Sequence, residues 1–437
     1  MKRSLYSSYR TSDDGWIGKH PAHWRIKRAH FVTGSARQTV SPSEMREIDV
    51  FHYSIPNVQE TGTGKIEPGE DIDSAKLVIK GPTLLVSKLN PHKVTVCLAD
   101  KDADHLTVAS SEFVPIVSHD ICLRYARYVW SSGKVSSRLV GLTQSVTRSH
   151  QRVSPDEITK LPWAWPPLNE QQAIARFLDA KTAEIDRLID RRSGLIPILN
   201  EKRRALITHC VTQGTNPLAS RKETSVPYLP SVPAHWRTNT PLKYLLTAVG
   251  GSTPSTGEAR YWVDGDIPWV SPKDMHVTEI HSSEDYVTQE AIAETALKMI
   301  DPGAVLIVVR GMILVHSFPV AISRVPVTVN QDMKALIPCP RLQPEYLAYL
   351  LRGLSSYLLS LVETSAHGTK AFRTDVWSRL ILPEPPIEEQ HEIVSKLDRE
   401  TAAIDDQIAA INRHVSALQE YRAAIITAAV TGQIKVV

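Results

Sequence analysis

The segments PPLNEQQAIARFLDAKTAEID (166–186) and PPIEEQHEIVSKLDRETAAID (385–405) are two copies of one sequence in this chain of 437 residues. An offset of 219 residues aligns the copies without a gap from residue 166 to residue 214. Within this alignment 20 of 49 residue pairs are identical, which is far more than unrelated segments share. An internal repeat of this length indicates that a whole structural unit is present twice.

Apolar residues recur in both copies with a period of about 3.5 residues, which is typical of a long helix whose apolar seam lies along another helix. Each copy is therefore predicted to form one long helix. The predicted seam comprises Leu178, Ile185, Ile189, Ile196, Leu199 and Leu206 in the first copy, and Leu397, Ile404, Ile408, Ile411, Leu418 and Ile425 in the second.

Residues that favour helix ends bracket each repeat. Proline is favoured at the start of a helix, and glycine just beyond its last turn. The predicted limits are Pro167 and Gly214 for the first helix, and Pro386 and Gly432 for the second. Gly194 and Pro197 are expected to kink the first helix, whereas the second helix has no such residues.

A single heptad helix is most often a dimerisation zipper or part of a buried bundle. Two matching helices in one chain can instead bury their seams against each other. We therefore predict an intramolecular antiparallel coiled coil with pseudo-twofold symmetry. Such a pair would hold two variable domains at its opposite ends, as a spacer of fixed length.

The pentapeptide PAHWR occurs at 21–25 and again at 233–237, and each copy marks the start of a variable segment. Trp24 and Trp236 are the expected packing anchors of these motifs, and the neighbouring histidines are not expected to perform chemistry. The predicted regions are a variable domain at 1–165, a constant helical region at 166–214, a second variable domain at 215–384 and a second constant helical region at 385–437.

Both variable segments combine strand and helix patterns, which predicts an α/β (α+β) domain in each. The predicted strands are 49–56, 83–89, 93–99 and 113–118 in the first domain, and 266–272, 304–311 and 325–330 in the second. Predicted helices cover 121–130 and 345–363.

Basic residues recur at corresponding places in the two variable segments. An offset of 222 matches Lys88 with Arg310, at the end of one strand, and Arg148 with Lys370, ahead of the constant helix. Such residues can contact phosphates or base edges, although solvated loops carry them too. The constant segments 169–213 and 388–432 have net charges of +2 and −4, which leaves +5 for the other residues. This distribution favours a polyanionic partner for the variable domains.

The second half of the chain resembles the specificity (S) subunits of type I restriction-modification systems. The similar segments are GGSTPSTGEARYWVDGDIPWVSPKDM (250–275), VLIVVRG (305–311), VNQDMKAL (329–336) and LPEPPIEEQHEIVSKL (382–397). The first half is similar in LVSKLNP (85–91), SSEF (110–113) and PPLNEQQAIARFL (166–178). The resemblance covers essentially the whole chain in the same order.

This resemblance implies a non-catalytic, cytoplasmic subunit that binds a bipartite, asymmetric target in double-stranded DNA. The variable domains at 1–165 and 215–384 would be its two target-recognition domains, and the constant segments its conserved helical regions. The implied partners are two modification (methyltransferase) subunits and restriction (translocase and nuclease) subunits, with no membrane. The partners would use S-adenosylmethionine, ATP and Mg²⁺, and this chain would bind no cofactor.

The candidate DNA contacts lie in the motifs above or next to them. They are Ser87, Lys88, Asn90, Gln144, Thr147 and Arg148 in the first domain, and Thr253, Tyr261, Trp269, Lys273, Arg310, His367, Thr369 and Lys370 in the second. No metal site is predicted, because the four cysteines lie far apart without CxxC spacing.

Two alternatives remain at this point. The chain could be the specificity module of a fused or type II-like methyltransferase or nuclease system, but such an enzyme needs catalytic motifs. TGTGKI (61–66) lacks the Ser or Thr that binds magnesium in a phosphate loop. A purely structural coiled-coil scaffold is the second alternative, and it would not need paired α/β domains with basic strand ends.

Overall fold

The computed structural model describes residues 5–35, 37–118, 120–143, 151–364 and 368–436. The chain divides into two compact units. Unit 1 comprises residues 1–193 and 412–437, and unit 2 comprises residues 194–411. Among the described residues, none of the helices has the length and apolar character needed to cross a membrane.

Both units contain helices and strands. The α-helices are α1 Pro42–Met45, α2 Ile55–Thr61, α3 Leu123–Trp130, α4 Gly133–Gly141, α5 Pro155–Thr159, α6 Leu168–Ser193, α7 Leu195–Gln213, α8 Gln289–Glu294, α9 Pro344–Gly353, α10 Ser355–Ser360, α11 Thr374–Trp377 and α12 Ile387–Val430. The strands of unit 1 are β1 Tyr9–Thr11, β2 Lys19–Pro21, β3 Arg25–Arg28, β4 Thr33–Gly34, β5 Thr39–Val40, β6 Asp49–Tyr53, β7 Lys65–Pro68, β8 Lys76–Val78, β9 Thr83–Ser87, β10 Val96–Ala99, β11 Leu106–Ala109, β12 Phe113–Ser118 and β13 Pro162–Trp165. The strands of unit 2 are β14 Arg221–Glu223, β15 Ser231–Pro233, β16 Leu246–Gly250, β17 Ile267–Val270, β18 Glu279–Ile280, β19 Asp285–Val287, β20 Val305–Val308, β21 Val320–Ser323, β22 Thr328–Val329, β23 Met333–Pro338, β24 Glu363–Thr364 and β25 Lys370–Ala371.

Unit 1 contains two main sheets. One has the strand order β10-β9-β12-β4 with antiparallel pairing throughout, and β9 is fully buried because both of its faces are covered. The other has the order β5-β8-β11-β6-β7, in which β11 and β6 are parallel. Helix α3 packs on the first sheet and places Tyr125 and Trp130 in the core.

Unit 2 repeats the core of this topology with different sequences, although its two main sheets have five and three strands instead of four and five. Its larger sheet has the order β16-β23-β20-β21-β18, and its smaller sheet has the order β19-β17-β22, in which β17 and β22 are parallel. The strands β20 and β23 correspond to β9 and β12, and α9 takes the place of α3. Two variable segments with little sequence in common therefore fold in the same way, and the predicted α/β class is confirmed.

The constant helices begin and end where the sequence predicts. Helix α7 ends at Gln213 and α12 at Val430, and the glycines that follow, Gly214 and Gly432, have φ angles of 75° and 72°. The first helix is interrupted at Gly194, between α6 and α7, whereas α12 is continuous over 44 residues.

Each unit contains an antiparallel pair of these helices. In unit 1, Arg422 Nε lies 2.8 Å from Asp186 Oδ1, while Ile174, near the start of α6, shares a buried core with Val430, at the end of α12. In unit 2, Arg203 forms an ion pair with Asp405. There the end of α7 at Gly214 lies against the Glu389 side chain at the start of α12. The predicted intramolecular antiparallel pairing is confirmed.

The prediction of one continuous helix over 345–363 is wrong. Helix α9 ends at Gly353, and a separate helix α10 begins at Ser355. The Gly353 carbonyl accepts a hydrogen bond of 2.8 Å from Thr208 Oγ1 on α7, and a Cβ at Gly353 would lie 2.8 Å from Val211 Cγ2. The break therefore falls at a glycine whose backbone is held by a tertiary contact with α7.

Candidate nucleic-acid interface

In unit 1 the motif PAHWR binds the start of helix α6. The buried carboxylate of Glu170 accepts hydrogen bonds from His23 Nε2 at 2.8 Å and Trp24 Nε1 at 3.2 Å, and also from the Tyr6 hydroxyl. Burial, followed by the hydrogen bond to Glu170, raises the pKa of Tyr6 well above its usual value. This glutamate therefore joins three separate parts of the unit.

Unit 2 has the same arrangement at the start of α12. Glu389 accepts hydrogen bonds from His235 Nε2 at 2.7 Å and from Trp236 Nε1 at 2.9 Å. Glu389 corresponds to Glu170 in the aligned repeat. The predicted role of the two tryptophans as packing anchors agrees with this geometry, because both rings are buried.

The glutamine after each glutamate also binds the domain. Gln171 Nε2 donates to the Pro166 carbonyl at 2.9 Å, and its Oε1 accepts from the Cys122 amide at 2.9 Å. In unit 2 the corresponding amide is that of Gln390. It donates to the Pro385 carbonyl at 3.0 Å and accepts from the Gln343 amide at 2.8 Å. The Glu-Gln pair thus attaches each long helix to its own domain.

The end of the other long helix reaches the same tryptophan. A Cβ at Gly432 would lie 3.1 Å from Trp24 Cη2, and a Cβ at Gly214 would lie 3.3 Å from Trp236 Cζ2. Both glycines have positive φ angles, which L side chains rarely adopt. Each PAHWR motif is therefore the junction at which one constant helix begins and the other ends. We call these places the unit 1 junction and the unit 2 junction.

A tyrosine on α3 or α9 binds each long helix beyond the junction. Tyr128 donates to Asp179 Oδ1 at 2.7 Å in unit 1, and Tyr349 donates to Asp398 Oδ1 at 2.6 Å in unit 2. Burial, followed by the hydrogen bond to Asp398, raises the pKa of Tyr349 to about 12. Because the two aspartates are equivalent in the repeat, the same contact fixes both domains to their helices.

We expect Glu170→Ala to destabilise unit 1 more than His23→Ala does. The alanine at 170 leaves the buried indole N–H of Trp24 without an acceptor, which costs about 1–3 kcal/mol. The His23 ring is half exposed and can exchange its hydrogen bond for water, so its loss should cost about 1 kcal/mol or less. Equilibrium denaturation of both variants measures the difference, and equal losses would contradict this account of the junction.

Ion pairs between the long helices were not predicted. One ion pair joins Arg203 to Asp405, and the other joins Arg422 to Asp186. In each pair the arginine comes from one copy of the repeat and the equivalent aspartate from the other. The aligned repeat contains the signal, because both the arginine and the aspartate are identical at an offset of 219.

Each of the twelve predicted seam residues is buried or partly buried, and none of them is exposed.

In unit 2 the structure brings two candidate DNA contacts together at the end of β20. Arg310 is exposed, and its Nε lies 2.6 Å from Asp332 Oδ1. The amide of the next residue, Gly311, donates to the Lys370 carbonyl at 3.0 Å. Lys370 Nζ in turn donates to Thr364 Oγ1 at 2.8 Å, and the partly exposed Thr369 precedes it.

In unit 1 the equivalent candidates lie at the end of β9. Ser87 is buried, and its hydroxyl donates to the Leu89 carbonyl at 3.1 Å. Lys88 is partly exposed, and Asn90 has a positive φ of 48°. The Asn90 amide donates to the Gln151 carbonyl at 2.7 Å, as the Gly311 amide does to Lys370 in unit 2.

The predicted correspondence of Lys88 with Arg310 is wrong by one residue. Leu89 forms a β-bridge with Arg152, and Arg310 forms the equivalent bridge with Ala371. The offset at this strand is therefore 221, and Leu89 corresponds to Arg310. A shift of one residue in a strand moves a side chain to the opposite face.

The remaining candidates of unit 2 lie in β17 and in the segments before and after it. Tyr261 and Trp269 are largely buried, and the Trp269 indole donates to the Ser252 carbonyl at 3.0 Å. Thr253 is exposed. Lys273 lies 2.7 Å from Asp285 and 3.1 Å from Glu284, and hydrogen bonds to these two carboxylates raise its pKa.

Four candidates, Gln144, Thr147, Arg148 and His367, lie outside the described residues. The assignment of DNA contacts as a whole stays a prediction, as do the four domain boundaries. Among the residues that the structure describes, no group of three or more His, Cys, Asp or Glu side chains is arranged to hold a metal ion.

Known proteins resemble the chain in sequence. A family profile described as Type I restriction modification DNA specificity domain matches residues 236–413. The chain is 38% identical over 150 residues to the Type I restriction enzyme EcoR124I/EcoR124II specificity subunit of Escherichia coli, over 34% of this chain and 37% of that relative. It is 33% identical over 171 residues to the Type I restriction enzyme MjaIX specificity subunit of Methanocaldococcus jannaschii, over 38% of each chain. Both alignments span well under half of the relative's length.

Solved structures resemble the chain over nearly its whole length. A chain from a study of complex assembly and conformational transition of the type I R-M system has a TM-score of 0.74 at 18% identity, covering 94% of this chain and 98% of that chain. The HsdS subunit from Thermoanaerobacter tengcongensis has a TM-score of 0.54 at 19% identity, covering 95% and 98%. Because the sequence identities are this low, these similarities show a shared fold only.

Proposed function

Because the chain belongs to the family of type I restriction-modification specificity subunits, we propose that it is a sequence-specific DNA-binding subunit of such a system. Each unit reads one part of a bipartite target in double-stranded DNA. The chain itself performs no catalysis, and it directs partner subunits to the target.

The observation that carries this proposal is the duplication of the junction. Glu170 and Glu389 bind equivalent histidine and tryptophan side chains in domains of the same topology but different sequence. A duplicated attachment with divergent domains suits a protein that presents two different reading surfaces from one constant frame. The two parts of the target should accordingly differ in sequence.

The long helices are the proposed binding region for partner subunits. Large apolar side chains remain exposed on the first long helix within each unit: Leu188 on α6 in unit 1, and Leu195 and Ile198 on α7 in unit 2. In the assembled complex a partner would cover these side chains, because removing apolar surface from water stabilises an interface. Two junctions of identical chemistry fit two modification subunits. These would use S-adenosylmethionine, and the restriction subunits would use ATP and Mg²⁺, in the cytoplasm where the DNA lies.

Co-expression of the chain with a modification subunit of its own system, followed by sequencing of methylated DNA, tests the proposal. We expect methylation within a motif of two short, different parts separated by a gap of fixed length. A soluble, assembled complex that leaves the DNA unmethylated would contradict the proposal, and so would a continuous motif.

A domain exchange provides the matched control. The segment between Arg237 and Pro385 can be replaced by that of another specificity subunit while both junctions are kept. We expect one part of the motif to change and the other part to remain.

A further inference from the structure

The strand end in unit 1 is fixed by three backbone contacts. The amide of Lys88 donates to the Glu112 carbonyl at 2.9 Å, and the Lys88 carbonyl accepts from the Val153 amide at 3.0 Å. Between these bonds, Leu89 and Arg152 form a β-bridge. The segment at 151–153 therefore lies beside the end of β9.

The strand end in unit 2 has the same three contacts. The amide of Val309 donates to the Asp332 carbonyl at 2.8 Å, and the Val309 carbonyl accepts from the Phe372 amide at 2.8 Å. Arg310 and Ala371 form the bridge. The structurally equivalent residues are therefore Lys88 with Val309, Leu89 with Arg310, Glu112 with Asp332, Arg152 with Ala371 and Val153 with Phe372.

An arginine binds the equivalent carboxylate in both units, but it comes from opposite strands. In unit 2, Arg310 on the outgoing strand binds Asp332 at 2.6 Å. In unit 1 the outgoing strand has Leu89, and Arg152 on the returning segment binds Glu112 at 2.8 Å through Nη2. The same ion pair is thus built at the same place from unrelated sequence positions.

A contribution to stability does not explain why both units have this ion pair at the same place. The Arg152 and Arg310 side chains are 64% and 53% exposed, and ion pairs at such positions contribute little to the free energy of unfolding. The carboxylate does, however, hold the guanidinium in place. Within the described residues, both Nη groups of Arg310, and the Nε and Nη1 of Arg152, make no hydrogen bond.

Guanine presents two acceptors in the major groove, O6 and N7, and a guanidinium binds both through two adjacent N–H groups. Arg310 can use its two Nη groups for this, and in Arg152 the second N–H of Nη2 forms such a pair with the N–H of Nη1 or Nε. Phosphate is a poorer fit, because the adjoining carboxylate cancels the positive charge that would attract an anion. Resting on the proposed function, we infer that Arg152 and Arg310 are equivalent specificity-determining residues. Each reads a guanine, Arg152 in the part of the target bound by unit 1 and Arg310 in the part bound by unit 2.

The test is the methylation motif of complexes assembled with Arg152→Ala or Arg310→Ala. We expect each variant to lose discrimination at one guanine of one half of the motif, by roughly 10- to 100-fold, and to leave the other half unchanged. The unaffected half is an internal control for assembly and enzyme activity. Arg152→Lys and Arg310→Lys should show the same relaxation, since lysine keeps the charge but has no fork of donors.

Two further variants examine the role of the carboxylates. Glu112→Gln and Asp332→Asn remove the ion pair at nearly constant volume, and we expect partial relaxation at the same guanines. Weaker methylation with an unchanged motif would indicate phosphate contacts and would overturn the inference, as would variants identical to the wild type. If the wild-type complex itself shows no two-part motif, the proposed function fails instead, so the two failures are distinguishable.

Discussion

Replacing Trp236 by alanine is expected to lower the free energy of unfolding of unit 2 by about 3–5 kcal/mol, as for other large core side chains. Its ring has no exposed surface and belongs to the main core of the unit. The indole N–H binds Glu389 at the start of α12, and the ring contacts Gly214 at the end of α7. One substitution therefore leaves a cavity, removes one of the two hydrogen bonds to the Glu389 carboxylate and loosens a contact between two helix ends.

Equilibrium denaturation of the full chain measures this loss in the free energy of unfolding, with fluorescence and circular dichroism as the signals that report on both units. His235→Ala is the matched control, because the neighbouring ring is 50% exposed and binds the same carboxylate. We expect it to cost about 1 kcal/mol or less. Similar losses for the two variants would show that Trp236 is not the anchor of the junction. Trp24→Ala should behave in unit 1 as Trp236→Ala does in unit 2.

The limits of the long helices could be predicted because their signals are local. Heptad spacing, a proline ahead of the helix and a glycine after it act within one helix, so Gly214 and Gly432 were recognisable as ends. The break after Gly353 was missed although glycine disfavours a helix interior. Its contacts with Thr208 and Val211 come from a helix remote in sequence and could not be predicted.

In the sequence, the junctions could be recognised only as short repeated motifs. PAHWR and the Glu-Gln pair each occur twice, but nothing local indicates that Trp24 and Glu170 are hydrogen-bonded across 146 residues. Buried hydrogen bonds between distant segments are set by the tertiary fold, which a single sequence does not display.

The candidate DNA contacts were the least predictable part of the chain. Arg152 was not selected, because its relation to Arg310 depends on which strands adjoin and not on any sequence offset. Ser87 and Trp269 were selected by motif, although both are buried. Which side chains reach the surface depends on strand register, and an error of one residue reverses the face.

Lengthening both constant helices by one heptad is expected to widen the gap of the motif and to leave its two parts unchanged. Gly194 in the first helix and His414 in the second are suitable insertion points, since each lies midway between the two ion-pair residues on its own helix. Seven residues add about 10 Å of helix at 1.5 Å per residue. Because DNA rises 3.4 Å per base pair along each strand, the gap should grow by about three base pairs.

Methylation by this variant should be slower than by the wild type, even though both parts of the motif are retained. Three base pairs turn the second part of the target by roughly 100°, since DNA has about 10.5 base pairs per turn, whereas one heptad turns a helix face by only about 20°. The DNA or the protein must therefore twist to make up this difference in rotation. An insertion at His414 alone is the control: it displaces Arg422 relative to Asp186 and should lower the free energy of unfolding without giving a new motif. A variant with both insertions that folds and methylates with the original gap would show that the helices do not set the spacing.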